Sequence, residues 1–244
     1  MQVAVPHGVP VTGAEARQRL IVALDVSDAA AARRIVTAVG DCALTYKVGM
    51  QLYTAEGPRV VRDLVASGRR VFLDLKYHDI PNTVGAAVRE AARLGASMVT
   101  VHAAGGSKML RSAVEAARSS PGLMVLAVTV LTSIDESGLE KIGVRDKVVD
   151  SVLRLAKLAL AEGCHGVITS ARETSTLRSE LGYDFAIVTP GIRPAGSGHN
   201  DQVRVVTPAE AIAAGASYIV VGRSIADAPD PAAAADAILV EMST

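Results

Sequence analysis

The chain has 244 residues, half of them hydrophobic, which is enough for one substantial core and allows one or two domains; a single domain is the expectation. The 25 Lys and Arg residues balance the 25 Asp and Glu without any block of like charge, so nucleic acid and anionic membrane surfaces are excluded as expected partners, while a local phosphate site remains open. No apolar stretch approaches the roughly 20 residues that span a bilayer, and the opening segment, with Pro6, Gly8, Pro10 and Gly13, lacks the apolar region of a secretion signal. The expectation is a cytoplasmic protein with a loose extension over 1–18 and a catalytic domain over 19–244.

In chain order, short apolar runs fall at 20–26, 44–50, 71–76, 98–102, 123–131, 166–170, 185–189 and 218–222. Between them lie stretches of helical length rich in Ala, Arg and Glu, among them 29–39, 58–67, 84–94, 108–117 and 147–162. Strand followed by helix, repeated to the end of the chain, predicts an α/β fold of the (β/α)8 TIM-barrel type; a doubly wound open sheet is the alternative. Gly68, Gly95, Gly163 and Gly215 sit near the ends of the helical stretches, where a left-handed cap favours glycine. Cys42 and Cys164 lack CxxC spacing and read as reduced structural thiols. Gly105-Gly106 reads as a strand-to-helix turn, since the rest of a dinucleotide fingerprint is missing.

The strand at 71–76 carries charge through an apolar run. Val71, Leu73 and Leu75 form one face of a period-2 pattern, so Phe72, Asp74 and Lys76 project together from the other, and Asp79 follows just past the strand. An Asp-x-Lys-x-x-Asp sequence at the mouth of a barrel places carboxylate, ammonium and carboxylate where chemistry sits in this architecture; the bland alternative is a structural ion pair. Asp25, Lys47, His102, Thr132, Gly222 and Arg223 also fall at or beyond predicted strand ends. His102 reads as a hydrogen-bonded structural residue more readily than as a site residue, and His78 as a packing or capping group.

The motifs resemble those of the orotidine 5′-monophosphate decarboxylase family, which makes uridine monophosphate in pyrimidine biosynthesis. The resemblance is carried by Ile21-Val22-Ala23-Leu24-Asp25, Tyr46-Lys47-Val48-Gly49, the 74–83 block and Leu131-Thr132-Ser133. It continues through Thr189-Pro190-Gly191-Ile192-Arg193-Pro194, Asp201-Gln202 and Val221-Gly222-Arg223. Residues 195–200 match less well, and 1–18 fall outside it.

The resemblance implies a cofactor-independent carboxy-lyase in which Lys76 is the proton donor, flanked by Asp74 and by Asp79 of a second subunit, with Lys47 completing an alternating array. It implies that Asp25 and Lys47 hold the ribose hydroxyls, that Thr83 reaches the ribose from the partner, and that Ile80 lines the base pocket. Thr132 is implied at the pyrimidine, Gln202 between base and phosphate, and Gly222, Arg223 and Arg193 at the 5′-phosphate, with Thr132-Ser133 and 194–198 as lids. A homodimer with shared sites follows, with no metal and no organic cofactor. Two rivals stand beside it: a phosphosugar decarboxylase or epimerase on a similar barrel, which would recruit a divalent metal, and a non-catalytic nucleotide-binding or phosphate-binding protein. The length leaves no room for a phosphoribosyltransferase domain.

Overall fold

The computed structural model describes residues 13–194 and 206–244. Eight parallel strands pair in sequence order and close into a barrel: β1 (Leu20–Ala23), β2 (Thr45–Gly49), β3 (Arg70–Tyr77), β4 (Met98–His102), β5 (Met124–Val128), β6 (Gly166–Ile168), β7 (Ala186–Thr189) and β8 (Tyr218–Val221). Around them run α1 (Gly13–Arg19), α2 (Ala29–Val39), α3 (Met50–Glu56), α4 (Pro58–Ala66), α5 (Pro81–Arg93) and α6 (Gly106–Ala117). The second half adds α7 (Glu136–Lys141), α8 (Val148–Ala161), α9 (Ala171–Leu181), α10 (Pro208–Ala213), α11 (Arg223–Ala226) and α12 (Pro231–Glu241). The predicted closed barrel is the observed one, and the open-sheet alternative falls away.

Strand alternation builds two apolar shells. Ile21, Ala23, Phe72, Met98, Met124, Leu126, Ala186, Val188, Tyr218 and Val220 fill the barrel interior. Their neighbours, such as Val22, Leu73, Val99, Val101 and Ile219, join the larger shell between sheet and helices. Because both faces of each strand are covered, the strands read as continuous apolar runs. Polar residues in phase with the inner shell must therefore point into the barrel or its mouth. Asp74 is in phase with Phe72, and Thr100 and His102 with Met98.

Asp28 caps α2, its carboxylate accepting from the Ala31 N–H at 2.7 Å, and Thr207 with Glu210 forms a capping box on α10. Gly68, Gly95, Gly163 and Gly215 all have positive φ where helices end, as the sequence predicts. Part of the segment expected as a loose extension is instead ordered, since residues 13–19 form α1 and Ala16 packs into the core. Among the described residues no helix is long and apolar enough to cross a membrane.

Candidate active site

The ladder between β3 and β4 runs in register at Phe72↔Met98 and Leu73↔Val99, then resumes at Tyr77↔Val101. Two additional residues on β3 are accommodated in that interval, so the strand bulges where Asp74 and Lys76 emerge. Lys76 sits at φ +51°, the one non-glycine residue with positive φ among the described residues. That conformation costs a lysine about 1–2 kcal/mol and persists where the surroundings impose it. The bulge inserts an even number of residues, so Leu75 and Tyr77 still pack outward and Asp74 and Lys76 both reach the barrel mouth, as the period-2 reading requires.

Four charged side chains alternate in sign across the rim. The Asp25 Oδ1 atom lies 2.7 Å from Lys47 Nζ, Lys47 Nζ lies 3.9 Å from Asp74 Oδ2, and Lys76 Nζ lies 2.9 Å from both Asp74 oxygens. Exposure grades outward from the centre: the Asp74 side chain is 13% exposed, Lys76 28% and Asp25 57%. The inner pair is thus poorly screened and the outer carboxylate largely solvated. Gly49 leaves space for this array, since a Cβ there would stand 2.9 Å from Lys47 Nζ and 3.0 Å from Asp25 Oδ1.

Two adjoining cavities open at this rim. One, of about 220 Å³, has Phe72, Asp74, Lys76, Leu131, Thr132 and Ile168 in its wall. The other, of about 210 Å³, is bounded by Asp25, Pro190, Gly191, Arg193, Gly222 and Arg223. Lys47, Pro190 and Val220 border both, so the pair forms one elongated site with Lys47 at its waist. A larger cleft of about 380 Å³ between α2 and α4 is remote from the array, and its lining offers no comparable alternation of charge. Among the described residues no group of three or more His, Cys, Asp and Glu side chains is arranged to hold a metal ion.

The structure therefore brings together Asp25, Lys47, Asp74, Lys76, Thr132, Arg193, Gly222 and Arg223. Asp79, Ile80 and Thr83 are set apart from them. Asp79 accepts from the Ile80 N–H at 2.6 Å, Ile80 is 67% exposed, Thr83 is exposed on the first turn of α5, and none of the three borders either cavity. Gln202 and residues 195–198 of the expected lid lie outside the described residues.

His102 stacks on His78, with ring centroids 5.2 Å apart and planes 20° from parallel. Burial first, then the neighbouring His78 and Lys76, hold its pKa below the ordinary imidazole value. Its Nδ1 atom is buried without a hydrogen-bond partner among the described residues, contrary to the hydrogen-bonded role expected of it. Sequence reasoning missed Thr100, a buried residue whose hydroxyl donates to Asp74 Oδ1 at 3.0 Å and accepts the Lys76 N–H at 2.8 Å.

The profile of the "Orotidine 5'-phosphate decarboxylase / HUMPS family" matches residues 18–238. The chain belongs to this family. Similar proteins include the orotidine 5′-phosphate decarboxylase of Moorella thermoacetica, 49% identical over 93% of each chain. That of Heliobacterium modesticaldum is 50% identical over 94% of this chain and 97% of its own. Among solved structures, the orotidine 5′-phosphate decarboxylase from Lactobacillus acidophilus superposes with a TM-score of 0.83 at 40% identity, covering 93% of this chain and 100% of its own. With decarboxylases of this family at such identity over nearly their full length, the chain is a carboxy-lyase. The matched span of the family profile runs from the end of α1 into α12 and contains every predicted site residue.

Proposed function

We propose that this carboxy-lyase converts orotidine 5′-monophosphate to uridine 5′-monophosphate and CO2, with residues 19–244 as one catalytic domain onto which residues 13–18 pack as part of α1, working in the cytoplasm without metal or organic cofactor. The observation that carries this reading is the alternation Asp25–Lys47–Asp74–Lys76 at the barrel mouth. The Lys47 ammonium stands between the Asp25 and Asp74 carboxylates, and the Lys76 ammonium, held by Asp74, ends the array at the cavity, so the side chains themselves supply positive charge at the rim.

The pyrimidine occupies the cavity bordered by Phe72, Lys76 and Thr132, and the 5′-phosphate lies in the cavity of Arg193, Gly222 and Arg223. The ribose spans the waist, where Asp25 and Lys47 take its hydroxyls. Gln202 bridges base and phosphate. The bond from C6 to the carboxylate breaks, CO2 departs, and the electron pair stays on C6 in the plane of the ring, where no carbonyl delocalises it. The Lys76 ammonium stabilises that pair electrostatically and then gives it a proton; the resulting amine regains a proton from solvent. Asp74 fixes the ammonium through both oxygens.

No single contact supplies the acceleration. A charge pair about 4 Å apart contributes on the order of 4 kcal/mol at an effective dielectric near 20, against the roughly 20 kcal/mol that very slow reactions require. Binding energy at the distant phosphate must complete the stabilisation by holding the ring against the array.

Asp79, Ile80 and Thr83 serve a partner's site across a two-fold interface, in keeping with their distance from both cavities and with the exposure of Ile80 and of Met50 past the adjacent strand. Purified protein is tested by following pyrimidine absorbance and CO2 release before and after exhaustive dialysis against a chelator. Equal turnover is expected; loss restored by Mg²⁺ selects the phosphosugar reading, and absence of turnover on the nucleotide removes the proposal. Sharing is tested by unfolding, mixing and refolding Lys76→Ala with Asp79→Ala chains. About half the dimers are then mixed and half of their sites are whole, so about a quarter of wild-type activity returns. If Asp79 serves its own chain, mixing restores nothing.

A further inference from the structure

Between the paired residues Leu73 and Tyr77, β3 has no ladder partner on β4, and the segment left unpaired is the one that carries Asp74 and Lys76. The Thr100 hydroxyl links the two strands there. Thr100 is fully buried in β4 and in phase with the barrel interior, and its Oγ1 takes the Lys76 N–H at 2.8 Å while donating to Asp74 Oδ1 at 3.0 Å. The polarity of this link is fixed by chemistry. A main-chain N–H can only donate and an ionised carboxylate can only accept, so the one hydroxyl proton must point at Asp74 and a lone pair at Lys76.

We propose that Thr100 is a positioning residue for the decarboxylation, tying the backbone of Lys76 and the carboxylate of Asp74 to one rigid point; this rests on the reading of Lys76 and Asp74 given above. The left-handed turn at Lys76 aims the ammonium into the cavity against an intrinsic backbone preference. An isolated N–H at such a turn would leave the backbone free to relax toward the extended form, swinging the ammonium away from the reacting carbon. The Thr100 hydroxyl satisfies that N–H and, through its second bond, keeps Asp74 in line with both the turn and the ammonium it receives at 2.9 Å. Threonine suits the place because its branched Cβ restricts the hydroxyl to few orientations within a strand.

Thr100→Val keeps the shape and removes both bonds, whereas Thr100→Ser keeps both bonds and loses a methyl group. For Thr100→Val, kcat is expected to fall at least about 30-fold, the order of two lost hydrogen bonds at a site where about 1 Å decides rate. Affinity for uridine monophosphate should stay within about 3-fold, because the phosphate and ribose contacts are untouched. Thr100→Ser should retain kcat within about 5-fold of wild type. Should the valine chain fail to fold, Thr100→Ala provides the hydroxyl-free comparison, its folded fraction counted by uridine monophosphate binding. A hydroxyl-free variant with wild-type kcat, or a serine variant as slow as the valine or alanine one, overturns the proposal. Lys76→Ala is assayed alongside: if it turns over at the wild-type rate, the role of Lys76 itself fails and this inference falls with it.

Discussion

At the N-terminal end of the strands, Arg178 of α9 aims its guanidinium at fixed groups: the carbonyls of Gly215, Gly182 and Phe185 and the hydroxyl of Ser217, at 2.9–3.3 Å. Arg19 beside it donates to the carbonyls of Ser217 and Ala216 at 2.9 and 2.6 Å. Arg178 also lies over the rings of Tyr183 and Phe185, 5.1 and 4.7 Å from their centroids. Its burial pulls the guanidinium pKa down to about 10, so it remains a cation at neutral pH. At the C-terminal end, charges answer charges, and the array borders open cavities. One end spends its donors on main chain that has nowhere to move. The other pairs side chain with side chain beside open space that a ligand can enter. The same fold thereby uses cations as a clamp at one end and, in the function proposed above, as reagents at the other.

The contrast is broken most directly at Lys76. Lys76→Ala is expected to lower kcat by on the order of 10⁴-fold or more, because it removes both the charge facing C6 and the proton that ends the reaction, while thermal unfolding shifts little. Residual turnover near wild type would place the chemistry elsewhere. Arg178→Ala is the mirror experiment. It strands the buried Phe185 carbonyl and loosens two half-buried ones, and at about 1–3 kcal/mol for each unsatisfied group the cost in stability is expected to reach about 3 kcal/mol. The fraction that remains folded should turn over normally. A fall in kcat at full occupancy of the folded state would show that the two ends are not separate.

These two residues also differ in how they could be read. Lys76 stands in an apolar strand, where a charge breaks the pattern and announces itself; Asp25, Lys47 and Asp74 are visible for the same reason. Arg178 lies in the polar run of α9, where an arginine looks solvated, and only the packing of that helix against 215–217 reveals it as buried. Thr100 is silent because threonine is an ordinary strand former, and the bulge beside it preserves the alternation that would have betrayed a shift. The predicted bounds 29–39 and 98–102 coincide with α2 and β4. The runs 20–26 and 123–131 overshoot β1 and β5, because Leu24 and Val130 stay buried past the last residue of each strand.

Arg223→Ala weakens the functional end without touching the array. Loss of a charge-assisted contact to phosphate is expected to reduce kcat/KM by about 100-fold. The rate of substrate already bound and closed should suffer less. An unchanged kcat/KM would move the phosphate out of the cavity bordered by Arg193 and Gly222.

The smallest effect compares two histidines. His102 ends β4 at the functional rim, and His165 precedes β6 at the opposite end; burial is the first cause holding both pKa values below the ordinary imidazole range. A folded-state pKa below the unfolded one means that the unfolded chain binds the proton first. The stability contributed by the neutral rings is therefore complete above about pH 6.5 and declines as the pH falls from there toward the folded-state values. Unfolding midpoints measured downward from pH 7.5 should decrease accordingly, and a flat profile would contradict both assignments. The histidines part company in their second causes, since His102 also feels His78 and the Lys76 ammonium, whereas no charged neighbour depresses His165. Ring-proton NMR titration of Lys76→Met should thus show His102 moving up and His165 staying in place. Equal movement of both would mean that the substitution alters the barrel as a whole, and the functional and structural ends could no longer be treated as electrostatically independent.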